Sequence, residues 1–204
     1  MGEIGQKIGI MGGTFDPIHL GHLTTAENVR EGYALDKVLF IPAASPPHKQ
    51  HQQVTPAMHR YRMTVLATED NPHFMVSPLE MQRSGPSYSI DTVQELIERF
   101  GVSTQFYFIA GADAIQELPT WERITELLRL CHFVAVSRPG TVPNLGELRA
   151  RFGSLGEEHI HSLPAPKLEI SSTDVRNRVR QGRSIRYIVP AAVAQYIYRE
   201  GLYR

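Results

Sequence analysis

Short apolar segments alternate with segments of helical periodicity along the whole chain. The apolar segments have the length and composition of strands buried on both faces of a parallel sheet, and they span 7–11, 37–41, 74–76, 105–110, 132–136 and 160–163. Helices are predicted at 20–34, 56–68, 89–100, 121–130, 145–152, 172–181 and 191–199. This alternation predicts an α/β fold, a Rossmann-like doubly wound domain with a mostly parallel sheet. Ligands in such folds bind beyond the carboxyl ends of the strands.

Length and charge balance narrow the classes of function. A chain of 204 residues predicts one domain over 1–204, with a helical C-terminal part from about residue 170. The 21 Lys and Arg residues equal the 21 Asp and Glu residues, which disfavours general binding to nucleic acid or to an anionic membrane. Cys131 is the only cysteine and cannot form an internal disulfide, so we expect a reducing compartment. No signal-peptide pattern and no apolar run near ~20 residues occur, and the expected location is the cytoplasm.

A glycine turn and two histidines follow the first predicted strand. The strand breaks at Gly12-Gly13, and the next helix begins near His19. Backbone N–H groups at a helix N-terminus favour anions. His19 and His22 are three residues apart and share one helix face, while Gly21 between them lets a large group approach the backbone. These features predict a phosphate-binding site at the end of the first strand.

A metal site is the alternative for the same segment. His19 and His22 could bind zinc together with Asp16. Zinc sites usually have three or four protein ligands, and the HExxH pattern is absent. The GxGxxG and GxxxxGK[ST] phosphate motifs are absent as well.

A second candidate phosphate site lies in Ile170–Arg176, sequence ISSTDVR. Ser171 and Asp174 have the spacing of a capping box that starts a helix. A capping box does not explain Arg176, because a cation near a helix N-terminus is unfavourable by ~0.3–1 kcal/mol. A bound polyphosphate would make the cation favourable at this position. The hydroxyls of 171–173 and Arg176 therefore predict a second phosphate clamp.

Three other features of the sequence each allow two interpretations. Asp113, just after the fourth strand, could accept hydrogen bonds from ribose hydroxyls or cap a helix. Trp121, the only tryptophan, could stack on a base or pyridine ring or pack in the core. The loop 42–56, with four prolines, could close over a ligand or be a solvated connection.

Six motifs in order resemble one enzyme family. They are GGTFDPIHLGH, SPPHK, GPSYSIDT, GADAIQELPTW, SRPG and ISSTDVR, and together they span nearly the whole chain. GTFDPIHLGH is similar to the wider HxGH nucleotidyltransferase superfamily, and SYSIDT, LPTW and PPHK narrow the resemblance to bacterial nicotinate mononucleotide adenylyltransferases. The resemblance implies transfer of the adenylyl group of ATP to nicotinate mononucleotide, which gives deamido-NAD and pyrophosphate. It also implies Mg²⁺, held mainly through the ATP phosphates, and no dedicated metal ligand from the protein.

The resemblance also implies roles for single residues. His19, His22 and Arg176 would act on the phosphates during catalysis. ATP binding is implied for Gly12, Thr14, Phe15, Gly111, Asp113, Ser171, Ser172 and Thr173, and nicotinate-nucleotide binding for Asp16, Lys49, Tyr88, Ser89, Trp121 and Arg138. Ser89 stands where the family usually has threonine, and it keeps the hydroxyl.

Two alternatives to this function are another HxGH-type adenylyltransferase and a non-catalytic nucleotide-sensing module. The first would use nicotinamide mononucleotide or pantetheine phosphate. The expected partners are ATP and nicotinate mononucleotide, without nucleic acid or membrane, and the expected state is a monomer or a small homo-oligomer.

Overall fold

Six parallel strands form one sheet in the computed structural model, which describes residues 5–45, 54–137, 145–164 and 168–204. Their order across the sheet is β3-β2-β1-β4-β5-β6. The strands are β1 Lys7–Gly13, β2 Lys37–Pro42, β3 Phe74–Val76, β4 Gln105–Gly111, β5 His132–Ser137 and β6 Ile160–Pro164. Every neighbouring pair runs parallel, so the predicted α/β doubly wound sheet is confirmed.

Helices cover both faces of the sheet. They are α1 Leu20–Tyr33, α2 Ala57–Thr68, α3 Ser89–Phe100, α4 Ala112–Gln116, α5 Ile124–Leu130, α6 Gly146–Phe152, α7 Ser154–His159, α8 Ser172–Arg180 and α9 Ala191–Arg199. Among the described residues, 3₁₀ turns span Leu79–Gln82 and Leu118–Thr120. Within the part of the chain that the structure describes, no helix is long and apolar enough to cross a membrane.

Alternate residues of each strand enter two separate hydrophobic clusters. In β2, Val38 and Phe40 belong to one cluster, whereas Leu39 and Ile41 belong to the other. Helices α1, α2, α8 and α9 pack in the first cluster, and α3, α5 and α6 pack in the second. A strand buried on both faces does not alternate between apolar and polar residues. Each strand therefore appears in the sequence as a continuous apolar run.

The strand order creates a crevice between β1 and β4. From β1 the chain proceeds outward to β2 and β3, and from β4 it proceeds in the opposite direction to β5 and β6. The loops that leave the two central strands therefore diverge, and ligands of open α/β sheets bind at such a switch point. The glycines that end β1 and β4, Gly12-Gly13 and Gly111, lie at this crevice.

Candidate active site

A cavity of about 460 Å³ opens at the crevice between β1 and β4. The carboxyl ends of β1, β4 and β5, the first turns of α1 and the segment that enters α8 form its wall. Seven of the residues selected from the sequence line it: Gly12, His19, Gly21, His22, Gly111, Ser171 and Ser172. The fold thus brings the two predicted phosphate-binding segments, which are about 150 residues apart in sequence, into one wall.

His19 and His22 begin helix α1 and hold each other in place. His19 is the N-cap residue, and its backbone N–H donates to His22 Nδ1 at 3.2 Å. The two rings stack with their centroids 3.7 Å apart. Because Nδ1 of His22 accepts a hydrogen bond, a neutral His22 carries its proton on Nε2 and can donate from that nitrogen.

Burial keeps both imidazoles neutral near pH 7. It lowers the pKa of His19 from 6.5 to about 4. Burial, followed by the nearby His19, holds the pKa of His22 well below 6.5. Each ring therefore offers one N–H donor and no fixed positive charge, at a helix N-terminus that itself favours anions.

Gly21 determines how closely His19 lies against the helix. A Cβ at position 21 would stand 3.0 Å from His19 Nδ1 and 3.1 Å from its Cε1. Nδ1 of His19 is buried and has no hydrogen-bond partner among the protein atoms that the structure describes. The absence of a side chain at Gly21 lets this ring take its position in the cavity wall.

The zinc alternative has no support in this geometry. Asp16 is buried, and its two carboxylate oxygens accept hydrogen bonds from the Tyr203 hydroxyl at 2.7 Å and the Thr55 N–H at 3.2 Å. Across residues 5–45, 54–137, 145–164 and 168–204, no group of three His, Cys, Asp or Glu side chains could hold a metal ion.

The second predicted phosphate segment begins helix α8. Ser171 is its N-cap, and the Ser171 hydroxyl accepts from the Asp174 N–H at 3.1 Å. Only this half of the predicted capping box forms, because the Asp174 carboxylate pairs with Arg178 at 2.7 Å. The Ser172 hydroxyl donates to the Pro17 carbonyl at 2.9 Å, which joins α8 to the loop before α1.

Arg176 and Thr173 are not among the residues that line the cavity. Arg176 Nη1 donates to the Asp16 backbone carbonyl at 2.7 Å, and its Nη2 lies 3.2 Å from the Thr173 hydroxyl. The guanidinium has five N–H donors, so some remain for an anion beside the loop. In this state Arg176 connects the two phosphate segments to each other.

Thr14 and Phe15 shape the loop after β1. The Thr14 carbonyl accepts a hydrogen bond from Arg60 Nη1 at 2.7 Å. Phe15 has a positive φ of 47° and is buried, with its ring edge-on to His22 at 5.1 Å between centroids. Phe15 therefore supports His22 from the core side and, like Thr14, is not part of the cavity wall.

The residues predicted to contact the ribose and the pyridine ring lie at the start of α4 and against the second hydrophobic cluster. Gly111 is the N-cap of α4, and Asp113 is exposed in the first turn of that helix. The capping interpretation of Asp113 is therefore wrong. Trp121 is partly buried and packs edge-on to Phe108 at 5.5 Å and to Phe133 at 5.9 Å between centroids.

Tyr88 and Ser89 begin helix α3. Tyr88 is its N-cap and is 37% exposed, and Ser89 is its first residue. Neither they nor Trp121 line the 460 Å³ cavity. Lys49 and Arg138, and the middle of the loop 42–56, lie outside the residues that the structure describes.

Sequence reasoning missed Arg60 and Tyr203. Arg60 is 1% exposed and donates to the carbonyls of Thr55, Thr14 and Ala44 at 2.8, 2.7 and 3.4 Å. Its position on the apolar face of α2, three residues before Met63, was the available signal. Tyr203 had no local signal, because its partner Asp16 is 187 residues away.

The family relationships agree with this site. Residues 10–178 match the cytidylyltransferase-like family. The chain is 50% identical over 203 residues to the probable nicotinate-nucleotide adenylyltransferase of Thermoanaerobacter sp. (strain X514), covering 97% of this chain and 94% of the relative. It is 52% identical over 199 residues to the protein of the same name from Moorella thermoacetica, covering 97% and 92%.

Solved structures share the fold. The Plasmodium falciparum nicotinic acid mononucleotide adenylyltransferase complexed with NaAD superposes with a TM-score of 0.79 at 20% identity, covering 97% of each chain. The same protein complexed with APC gives a TM-score of 0.74 at the same identity and coverage. With the identities above 45% along nearly its whole length, this chain belongs to the nicotinate-nucleotide adenylyltransferase family of cytidylyltransferase-like nucleotidyltransferases.

Proposed function

We infer that the protein transfers the adenylyl group of ATP to nicotinate mononucleotide and releases deamido-NAD and pyrophosphate, a step of NAD biosynthesis. The observation that carries this inference is the pair of neutral imidazoles at the N-terminus of α1, in the wall of a cavity at the switch point. Relatives named nicotinate-nucleotide adenylyltransferase, about half identical to this chain, supply the choice of substrate.

The reaction needs no covalent intermediate with the protein. A phosphate oxygen of the mononucleotide attacks the α-phosphorus of ATP, and one P–O bond forms. The P–O bond between the α-phosphorus and the bridging oxygen breaks, and its electron pair leaves with pyrophosphate. The attacking oxygen is already anionic, so alignment and charge stabilisation carry the catalysis.

The residues of the cavity wall supply these two effects. The Nε2–H group of His22 donates a hydrogen bond to a phosphate oxygen, and the N–H groups that begin α1 add their dipoles. Ser171 and Ser172 line the same cavity, and the Ser172 hydroxyl is joined to the loop before α1. Arg176, on α8 and bonded to the Asp16 carbonyl, adds a cation beside the loop before α1.

The donor set of the cavity fits a magnesium ion that arrives with the nucleotide. The wall contains imidazoles, hydroxyls and glycines but no Asp or Glu among its described residues. Mg²⁺ usually keeps several waters and is held through substrate phosphates. When bound, it would neutralise charge on the β- and γ-phosphates.

The nicotinate carboxylate is proposed to bind near the start of α3, close to Tyr88, Ser89 and the turn of Trp121. Backbone N–H groups at a helix N-terminus donate to a carboxylate, whereas the amide of nicotinamide would bring its own unpaired donors. The loss of one or two charge-assisted hydrogen bonds, at ~1.5–3 kcal/mol each, implies about 10²–10⁴-fold discrimination. Trp121→Ala should weaken both mononucleotides alike, because stacking does not depend on the charge of the substituent.

A coupled pyrophosphate-release assay tests the proposal directly. ATP is mixed with nicotinate mononucleotide, nicotinamide mononucleotide or pantetheine phosphate at equal concentrations, and kcat/KM is compared. The highest value is expected for nicotinate mononucleotide. Similar values for both mononucleotides would indicate a dual-specificity enzyme, and turnover of pantetheine phosphate alone would indicate another HxGH branch. ATP binding without turnover of any acceptor would indicate a sensing module.

We also propose that the protein works in the cytoplasm, as one nucleotidyltransferase domain and as a monomer or small homo-oligomer. The equal numbers of acidic and basic residues support small nucleotides, and not nucleic acid, as its partners.

A further inference from the structure

The last residues of the chain return to the loop that precedes the histidine pair. After α9 the chain reverses at Gly201, whose φ is 63°, and the Leu202 N–H donates to the Ile197 carbonyl at 3.0 Å. Leu202 and Tyr203 then pack against the first hydrophobic cluster. This reversal carries the Tyr203 side chain to the GTFDPIHLGH segment, 187 residues away.

The Tyr203 hydroxyl binds a buried carboxylate. It donates to Asp16 Oδ1 at 2.7 Å, while Asp16 Oδ2 accepts from the Thr55 N–H at 3.2 Å. Asp16 is 4% exposed. Burial and the charge of Asp16 raise the pKa of Tyr203 far above its usual value of 10, so the hydroxyl remains a donor throughout the working pH range.

Asp16 is the junction of the loop 14–18. Its backbone carbonyl accepts a hydrogen bond from Arg176. The Thr14 carbonyl accepts from Arg60, and the Pro17 carbonyl accepts from Ser172. Within the described residues, the carboxylate of Asp16 accepts hydrogen bonds from Thr55 and Tyr203, and its charge interacts with the nearby Arg60. His19 follows three residues later and begins α1.

We propose that Tyr203 is a positioning residue: its hydroxyl holds Asp16, and through Asp16 the loop 14–18, in the conformation that presents the His19–His22 pair to the nucleotide. Tyr203 does not line the cavity, and it reaches the site through Asp16. The proposal rests on the proposed function for its kinetic consequence but not for its structural one. A misplacement of catalytic groups by about 1 Å can cost 10²-fold in rate, so one lost hydroxyl here should lower kcat measurably.

Tyr203→Phe removes the hydroxyl and keeps the ring that packs in the core. Tyr196→Phe is a matched control, because Tyr196 also lies in the C-terminal segment, is 9% exposed and loses one hydroxyl contact, to His59 Nδ1 at 2.9 Å. Tyr203→Phe should lower kcat about tenfold with smaller changes in both KM values, since the loop acts on alignment. Tyr196→Phe should lower Tm about as much as Tyr203→Phe does. It should leave kcat within about twofold of wild type.

Hydrogen exchange of the amides of residues 13–19 provides a readout that does not depend on turnover. We expect faster exchange there in Tyr203→Phe and wild-type exchange in Tyr196→Phe. In an Asp16→Ala background, which removes the acceptor, Tyr203→Phe should cause a much smaller loss of kcat than in wild type, because its contact with the carboxylate is already gone.

Unchanged exchange at 13–19 in Tyr203→Phe would overturn the proposal, as would faster exchange with unchanged kcat. A loss of kcat that adds fully to that of Asp16→Ala would also overturn it. If wild-type protein turned over none of the three acceptors, the proposed function would fail, and the exchange data alone would decide whether Tyr203 holds the loop.

Discussion

Two groups of stacked histidines lie at opposite edges of the same sheet. The cavity pair, His19 and His22, begins α1 at the carboxyl edge. The closed trio, His132, His159 and His161, lies at the amino edge, where β5 and β6 begin. In the trio, the rings of His132 and His159 stack at 4.6 Å between centroids, and His132 Nδ1 lies 3.2 Å from His161 Nε2.

A lowered pKa does not distinguish the two groups. Burial lowers the pKa of His19 to about 4, and burial, followed by the neighbouring His159 and His161, lowers that of His132 to about 4 as well. Perturbed titration is therefore only a probabilistic marker of function. A search for shifted pKa values alone would have selected both edges of the sheet.

The surroundings of the rings do distinguish them. Nδ1 of His132 is paired with Nε2 of His161. Tyr107 covers the face of the His132 ring, with the ring centroids 4.9 Å apart. None of the trio lines the cavity at the switch point. His22 instead lines the cavity, takes its internal hydrogen bond through Nδ1 and leaves Nε2 for a ligand. The histidines of the candidate active site are therefore distinguished by donors that face a cavity at a helix N-terminus, and not by the number of imidazoles.

The largest expected effect separates the two groups by activity. His22→Ala should lower kcat about 10²–10³-fold, because one donor to the transition state is lost. His132→Gln, in the closed trio, should leave kcat/KM within about twofold, since surface and peripheral substitutions rarely alter a distant site. The measurement is the pyrophosphate-release rate of each purified variant, with circular dichroism to confirm the fold.

A kcat of His22→Ala within a few-fold of wild type would show that the cavity pair has no role in chemistry. A large loss in His132→Gln would show instead that the two edges are coupled, and the distinction between them would fail.

The second prediction concerns the phosphate clamp at the start of α8, which is bonded to the loop before the cavity pair. Arg176→Ala should weaken ATP binding about 10–100-fold, the contribution of one charge-assisted hydrogen bond, and leave the affinity for nicotinate mononucleotide nearly unchanged. Arg178→Ala is the matched control on α8, because Arg178 pairs with Asp174 at 2.7 Å. Isothermal titration with a non-hydrolysable ATP analogue measures both, and equal affinities in the two variants would contradict a phosphate role for Arg176.

The third prediction concerns Gly21, which lies against His19 in the cavity pair. Gly21→Ala places a Cβ 3.0 Å from His19 Nδ1, so the ring must move by a few tenths of an ångström. We expect kcat to fall about 3–10-fold while Tm does not fall, since alanine is favoured over glycine in helices by up to ~1 kcal/mol. Gly32→Ala, in the same helix but against Leu163, should leave kcat unchanged. Full activity of Gly21→Ala would mean that the position of His19 is not critical.

The smallest expected effect concerns stability in acid. His132 has a pKa of about 4 in the folded protein and 6.5 in the unfolded chain. Between these values the unfolded chain binds more protons, so stability falls as pH drops from 6.5 towards 4. His132→Gln removes this contribution, and its Tm should decline less than that of wild type between pH 7 and pH 5.

A difference of about 1 kcal/mol corresponds to about 2–4 °C in Tm for a chain of this size, which thermal denaturation resolves. The same decline in wild type and His132→Gln would show that the folded protein does not lower the pKa of His132.

Local sequence signals predicted most of the fold. The six strands begin at the predicted residues and extend at most two residues further, and α3 and α9 have the predicted bounds. The predicted helix 121–130 begins only at Ile124, because Arg123 takes a left-handed conformation with φ of 50°. Helices α4 and α7 were not predicted. At five and six residues they are too short for a helical period to show, and such short helices depend on tertiary packing.

The sequence by itself determined the chemistry of the cavity wall. The glycines that end β1 and β4, the HxxH spacing and the serines that begin α8 are local features, and they lie at the carboxyl ends of the parallel strands, where ligands bind. Tertiary structure alone decided which atoms bind one another across the chain: Tyr203 with Asp16, Arg176 with the Asp16 carbonyl and His132 with His161. Those partners are 29 to 187 residues apart, whereas helix periodicity, capping and turn signals extend over only a few residues. Only the packing of the helices on the sheet brings such distant groups within hydrogen-bond distance.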